Sequence, residues 1–337
     1  MPQLLMNDNR AGTPDPLIDA FGRRIDHLRM SVTSACDLKC IYCRPNARSV
    51  YGKPNLDLND GQRIEFVRYL YDHHGLSHLR LTGGEPLLYP PLPRLIESIR
   101  AACPELSLAV TTNGRRLSRV AQSLRSAGLD RLNLSLDSLN ADCYQKITGG
   151  RLSDVLESLR VASEAGFPSP KINTVVLRGL NDAEVQNMAR WAIAHGSEIR
   201  FLEAMPIGPA GPFNRARFVS AFDIRRQLSA SFELTPIPSS PGATASRFRA
   251  TSGGLQGIIG TIAPVTEPFC SSCRRIRLTA DGKLFPCLLG NFHVDVRSAW
   301  RDGHLDRESL GEQIQNAAES KQQRGTVQTV QMIQLGG

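Results

Sequence analysis

Residues 27–43 read HLRMSVTSACDLKCIYC. The first seven, HLRMSVT, mix β-branched and apolar side chains and predict a strand, which runs directly into three thiols, Cys36, Cys40 and Cys43. A strand ending on a group of reactive side chains is how the C-terminal mouth of a parallel α/β sheet is built. That reading requires more strands at βα spacing, and five follow: HLRLT (78–82), LSLAVTT (106–112), RLNLSLD (131–137), KINTVVL (171–177) and EIRFLEA (198–204). The intervening segments carry apolar residues near the helical period, with recognisable ends. Ile64, Val67, Leu70 and Tyr71 lie between a start at Asn59–Asp60 and a stop at Gly75; SLRSAGLDR closes a helix at Gly128; LNDAEVQNMARWAIAHG opens at Asn181 or Asp182 and closes at Gly196. Repeated βα units predict an α/β fold with a parallel sheet, and the lack of GxGxxG after the first strand argues against a dinucleotide-binding unit. Six units are two short of a closed eightfold barrel. The expected architecture is an incomplete (βα)6 TIM-like barrel with a smaller C-terminal region closing its lateral opening.

After about residue 210 the rhythm breaks. GPAGPF (208–213) and TPIPSSPGATAS (235–246) are rich in Pro, Gly and Ser, and RRIRLTADGKLFPC has alternating apolar positions on both sides of Ala280–Asp281–Gly282, which reads as a hairpin. The expected divisions are an N-terminal segment (1–21), the partial barrel (22–215), a C-terminal region (216–325) and a tail (326–337) ending in Gly336–Gly337.

At 337 residues, 41% hydrophobic and 21% charged, the chain is long enough for a large core without disulfides. The opening residues resemble neither a secretory signal nor a transit peptide, and no apolar run reaches the ~18 residues of a membrane span. A cytoplasmic, reducing location is therefore expected for the eight cysteines. The net charge of +8 is compatible with an anionic partner or with dispersed surface charge, and no nucleic-acid recognition motif accompanies it.

Six of the eight cysteines form two triplets, Cys36/Cys40/Cys43 and Cys270/Cys273/Cys287, neither with a fourth cysteine of its own. A structural zinc site wants four ligands. A [4Fe–4S] cluster held by three thiolates instead leaves one iron open to a small molecule. Cys103 and Cys143 have no neighbouring thiol in sequence and read as packing residues.

CDLKCIYC (36–43), LTGGEP (81–86) and SLD (135–137) together resemble the radical S-adenosylmethionine enzymes; FCSSCRRIRLTADGKLFPC (269–287) and the terminal Gly-Gly narrow the resemblance to the GTP 3′,8-cyclase family. The resemblance implies two [4Fe–4S] clusters. The first, on Cys36, Cys40 and Cys43, would chelate S-adenosylmethionine, whose reductive cleavage gives a 5′-deoxyadenosyl radical. That radical takes hydrogen from C3′ of GTP, and C3′ then joins C8 of guanine, the opening reaction of molybdenum cofactor biosynthesis. The second cluster, on Cys270, Cys273 and Cys287, would hold the guanine base. Carried over residue by residue, Tyr42, Gly84, Ser135 and Met205 are cofactor contacts. Arg29, Arg80, Thr111, Lys171, Arg200, Arg275 and Arg277 are substrate contacts, and Arg275, Arg277, Gly336 and Gly337 are catalytic. A glycine pair such as Gly83–Gly84 lets backbone approach a ligand closely, and converging arginines suit a polyphosphate. No P-loop is present, so the phosphates are not cradled that way.

Two positions depart from the family pattern: Ser34–Ala35 stands where Asp-Arg is common, and His78 where a lysine occurs. The second is expected either to weaken phosphate binding or to make it more pH-sensitive. The expected partners are GTP, an electron donor such as flavodoxin or ferredoxin, cyclic pyranopterin monophosphate synthase as a pathway neighbour, and a second copy of the chain in a homodimer, with neither nucleic acid nor membrane. The competing readings are a peptide-modifying two-cluster radical enzyme and a basic, zinc-bearing nucleic-acid-binding module.

Overall fold

The computed structural model describes residues 14–43 and 57–325. The six expected strands all form: β1 (His27–Ser31), β2 (His78–Thr82), β3 (Ser107–Thr112), β4 (Arg131–Ser135), β5 (Lys171–Val176) and β6 (Ile199–Glu203). They pair in sequence order, every neighbour parallel. The helices between them are α1 (Asp60–His74), α2 (Leu92–Ala102), α3 (Leu117–Ser126), α4 (Ala141–Thr148), α5 (Leu152–Glu164) and α6 (Val185–Ala194).

Helix α1 begins and ends where its sequence says. Asn59 accepts from the Gln62 N–H while the Gln62 side chain accepts from the Asn59 N–H, and Gly75 closes the helix in the left-handed region at φ 65°. Helix α6 starts later than Asn181–Asp182 predicts, after a short 3₁₀ turn at Asp182–Glu184. The reason is that Asn181 does not cap. Its side chain turns inward, accepting from the Leu177 N–H at 2.7 Å and donating to the carbonyls of Asp137 (2.6 Å) and Val175 (2.8 Å).

The C-terminal part adds α7 (Gly211–Ala216), α8 (Ala221–Ser229), β7 (Glu233–Ile237), β8 (Ser246–Ser252), β9 (Leu255–Ile262), β10 (Arg275–Leu278), β11 (Lys283–Phe285), β12 (Val294–Asp295), a two-stranded ribbon of β13 (Trp300–Arg301) and β14 (His304–Leu305), and α9 (Arg307–Glu319). The expected hairpin is β10–β11, paired Leu278 to Leu284. Its strands do not stand apart from the six. β10 lies parallel beside β1, and β9 lies parallel beside β6, giving one continuous sheet in the order β12-β11-β10-β1-β2-β3-β4-β5-β6-β9-β8-β7. The turn that returns β9 to the sheet is Gly253–Gly254, with φ of 53° and 85°, a two-residue hairpin signal.

The sheet is curved. Side chains from β1, β2, β6 and β10 line a common cavity on its inner face. Its outer face is apolar and covered by helices: Leu28, Met30, Leu79, Leu81 and Val110 pack with Phe66, Ile96 and Leu124 in one buried cluster, and Ile172, Phe201 and Ile259 with Met188 and Ile224 in another. Alternation along β1 and β2 therefore sends His27, Arg29, His78 and Arg80 inward.

Candidate active site

The loop after β1 carries Cys36, Cys40 and Cys43, all partly buried. Its backbone is fixed from several sides. The Lys39 and Ile41 N–H groups donate to the Thr148 and Ile147 carbonyls at the end of α4, and Cys43 N–H donates to the Cys40 carbonyl, each at 2.9 Å. Asn214 on α7 donates to the carbonyls of Tyr42 (3.0 Å) and Met205 (2.8 Å). The Tyr42 hydroxyl donates to Asp137 at 2.7 Å, whose other oxygen accepts from the Val175 N–H at 2.9 Å. Burial, opposed by these two hydrogen bonds, lifts the Asp137 carboxyl to about 6. Burial, then Asp137 and the other two thiols, pushes the Cys40 thiol well above the usual cysteine range. Three thiolates in this space need positive charge among them, which is how a metal-ligand set behaves.

The TGGEP segment after β2 clamps that loop. Gly84 N–H donates to the Thr33 carbonyl (2.8 Å) and Glu85 N–H to the Ala35 carbonyl (2.7 Å). A Cβ on Gly83 would sit 2.4 Å from the Thr33 carbonyl oxygen, and one on Gly84 2.2 Å from that of Ala35. The close approach expected of this glycine pair is thus made to the protein's own backbone beside Cys36, while Gly84 also borders the cavity. Glu85 is 1% exposed and accepts from the Thr112 hydroxyl (2.5 Å) and the Asn113 N–H (2.7 Å). Burial lifts its carboxyl to about 7.

The three thiols, Tyr42, Gly84, Ser135 and Met205 open on one cavity of about 200 Å³. A second, of about 160 Å³, is lined by Cys270, Cys273 and Cys287. Cys270 opens a 3₁₀ turn (Cys270–Ser272) ahead of β10, and the β10–β11 hairpin brings Cys287 back beside it. The two cavities share Thr111, Asn173, Leu202, Glu203 and Met205 as common wall. The thiols of the second triplet are in a different field. Although burial raises it, Lys321 and Arg275 hold the Cys273 thiol down at about 6.

Arg29, Arg80, Arg200, Arg275 and Arg277 project into the second cavity, and the strand register sets Arg29 beside both Arg80 and Arg277. Burial and neighbouring guanidiniums push Arg29 well below the usual arginine range, Arg80 to about 9 and Arg277 to about 10. Such a cluster calls for an anion. Inside it, the Thr111 hydroxyl, the Asn173 side-chain amide oxygen Oδ1 and one Arg275 Nη are buried with no hydrogen-bond partner among the described residues. Lys171 is placed apart from this group. It lines a third cavity, of about 340 Å³, at the N-terminal ends of the strands, with Arg29, Arg80, Arg200 and Arg275 as the shared wall and His27, His78 and Arg131 beyond it. The cations thus run from mid-sheet toward the end opposite Cys36. Glu198 is their acidic neighbour, 2.6 Å from Arg200, 3.3 Å from Arg247 and 3.8 Å from Lys171. Gly336 and Gly337 lie outside the described residues.

Two family models cover most of the chain. Radical SAM superfamily matches residues 30–192, and Molybdenum Cofactor Synthesis C matches 197–327. The GTP 3′,8-cyclase of Streptomyces coelicolor is 41% identical, covering 87% of this chain and 86% of that one. That of Moorella thermoacetica is 38% identical, over 95% of this chain and 99% of its own. The chain belongs to the GTP 3′,8-cyclase family. Among solved structures, Streptococcus suis SuiB bound to S-adenosylmethionine shares the fold at a TM-score of 0.60 and 14% identity, over 82% of this chain and 64% of that one, less than two thirds of SuiB's length. As a GTP 3′,8-cyclase family member the chain uses S-adenosylmethionine and [4Fe–4S] clusters as cofactors.

Each of the two cysteine triplets lines one of the two cavities. Among the described residues no three His, Cys, Asp or Glu side chains converge tightly enough to share one metal ion. A cubane does not require this, because each of its irons takes a single thiolate.

Several residues around the site carry no sequence signal of their own. Glu203, 3% exposed, accepts from the N–H groups of Ala221 (2.8 Å), Val265 (2.9 Å) and Thr266 (3.0 Å), tying β6 to α8 and to the loop after β9. Asn214 and Lys321 sit in unremarkable helical or polar stretches. Arg23 donates to the carbonyls of Cys270 (2.7 Å), Gln322 (2.8 Å) and Gln323 (3.1 Å), and only their meeting in space reveals it.

Proposed function

We propose that this chain converts GTP to 3′,8-cyclo-7,8-dihydro-GTP, the first step of molybdenum cofactor biosynthesis, across its two joined cavities. The observation that carries the reading is the placement of one cysteine triplet on each side of the wall formed by Thr111, Asn173, Leu202, Glu203 and Met205, with five arginines on the second side. Cys36, Cys40 and Cys43 would hold one cluster and Cys270, Cys273 and Cys287 the other, each through three thiolates. Bound at the first, S-adenosylmethionine supplies, on reductive cleavage, the radical that takes hydrogen from C3′ of the substrate.

The protein's own work is positional. Tyr42, Gly84, Ser135 and Met205 border S-adenosylmethionine, and Asn214 fixes the Tyr42 and Met205 backbones relative to one another. The buried arginines, Thr111 and Lys171 take the triphosphate, whose charge relieves their mutual repulsion. With the base against the second cluster and the phosphates among the arginines, the ribose lies at the shared wall. Arg275, Arg277 and the tail glycines Gly336 and Gly337 complete the catalytic set.

In this reading residues 22–215 form a partial barrel of six βα units whose lateral opening is covered by residues 216–325, between an N-terminal segment (1–21) and a tail (326–337). The electron comes from a flavodoxin- or ferredoxin-type donor in the cytoplasm, the product passes to cyclic pyranopterin monophosphate synthase, and the chain works as a homodimer. Among the described residues no helix is long and apolar enough to cross a membrane. The deciding experiment is anaerobic reconstitution followed by incubation with S-adenosylmethionine, dithionite and GTP. The cyclised nucleotide is expected; 5′-deoxyadenosine without a GTP-derived product would sink the reading.

A further inference from the structure

Lys321 follows α9 and is 3% exposed. Its ammonium donates to the carbonyls of Arg275 (2.8 Å) and Pro286 (2.5 Å), residues two after Cys273 and one before Cys287, and the Cys273 sulfur is within its hydrogen-bonding reach. It also lines the cavity with all three thiols of the second triplet. A buried cation is costly unless something negative faces it. For two other buried cations outside the cationic cavity a carboxylate meets that requirement: Arg23 is paired with Asp19 at 2.5 Å, and Arg63 with Asp60 at 3.1 Å. Among the described residues no carboxylate pairs with Lys321.

We propose that Lys321 is the countercharge and positioning residue of the second cluster, its ammonium fixed between the two cysteine-bearing segments so that it faces the cluster's thiolates. The inference rests on the two-cluster reading above. A [4Fe–4S] core bound by three thiolates carries net negative charge, so it supplies what the missing carboxylate would. Two consequences follow from the geometry. Each carbonyl bond ties one side of the triplet to the same ammonium, which holds Cys273 and Cys287 at a fixed separation. A fixed positive charge facing the thiolates also stabilises the cluster's more negative, reduced form, and so raises its potential. Arg23 secures the arrangement from the other side, since it binds Gln322 and Gln323, the residues next to Lys321, and Cys270 at once.

The test compares wild type, Lys321→Met and Lys321→Arg, each reconstituted anaerobically, by iron content and by EPR-monitored redox titration of both clusters. In Lys321→Met the second cluster is expected either to titrate at a more negative potential, with the first unchanged, or to be lost, taking iron from about eight to about four per chain. Lys321→Arg, which keeps the charge, is expected to keep about eight irons and most of the wild-type potential. A Met variant with full iron and both potentials unaltered overturns the proposal, as does equal loss of the cluster in Met and Arg variants, which would mark packing rather than charge. Wild-type protein that takes up only about four irons would instead sink the two-cluster reading itself, and the inference with it.

Discussion

His27 and His78 lie side by side on β1 and β2, ring centroids 4.3 Å apart, at the edge of the cationic cavity. Both are surrounded mainly by positive charge. Burial, then His78, with Arg275 and Arg274, lowers His27 to about 4 against the pull of Asp26; burial, then Arg131, with Arg274 and Arg80, lowers His78. Because the folded values lie below the unfolded reference of about 6.5, the unfolded chain binds more protons between about pH 4 and 6.5. The neutral pair therefore contributes stability that is present above about pH 6.5 and lost as pH falls toward 4. Urea midpoints of the ligand-free protein are expected to fall over that window, and a His27→Gln/His78→Gln double variant to fall less steeply. An unchanged slope would mean that the rings titrate freely. Inorganic triphosphate, which favours the protonated rings, is expected to offset part of the loss, so the departure at His78 makes anion binding tighten on the acid side.

At the scale of elements, the site depends on how the segment after β2 crosses the one after β1. Gly84→Ala places a methyl group on the Ala35 carbonyl in a region whose backbone is hydrogen-bonded on both strands. Overpacking of this kind costs about 1–3 kcal/mol or more, and here the displaced backbone is the one that aims Cys36. Gly84→Ala is expected to lower the unfolding midpoint and to impair cluster loading in the first loop; wild-type iron and stability in that variant would contradict the clamp. The elements themselves were largely legible, because β1–β6 and their helices carry period and cap signals, as in Asn59 with Gln62 and Gly75. The limits came from side chains that serve tertiary partners. Asn181 reads as a cap yet staples β5 to the segment after β4, and Gly83–Gly84 reads as a ligand approach yet meets protein backbone. The Gly253–Gly254 turn was a legible signal; the Pro- and Gly-rich texture around it obscured the β8–β9 hairpin. Lys321, Asn214 and Glu203 became informative only through partners distant in sequence, which no local pattern records.

For the whole molecule, the two triplets occupy separate cavities and should load independently. Cys36→Ser and Cys273→Ser are each expected to leave about four of about eight irons per chain, both abolishing product, while only the first variant loses reductive cleavage of S-adenosylmethionine. Loss of all iron from either single variant would indicate one shared site. The cysteine spacings made both triplets visible in the sequence. Their facing arrangement was not visible, because it arises from β9 and β10 joining the two flanks of the six-stranded set.

That joining also sets an order in time. β10 pairs with β1 across a gap in which Asp26 and Arg274 stand 248 residues apart, while β2 to β6 add to one another locally. Contacts so distant in sequence form late, after the loop-closure entropy of nearly the entire chain has been met. During synthesis the first cysteine loop can therefore take shape while the second is still unmade, and the cationic chamber is closed only when the last quarter of the chain arrives. The residues that line the first cavity lie between Cys36 and Asn214 and are all made before β10, whereas the second cavity needs residues as late as Lys321.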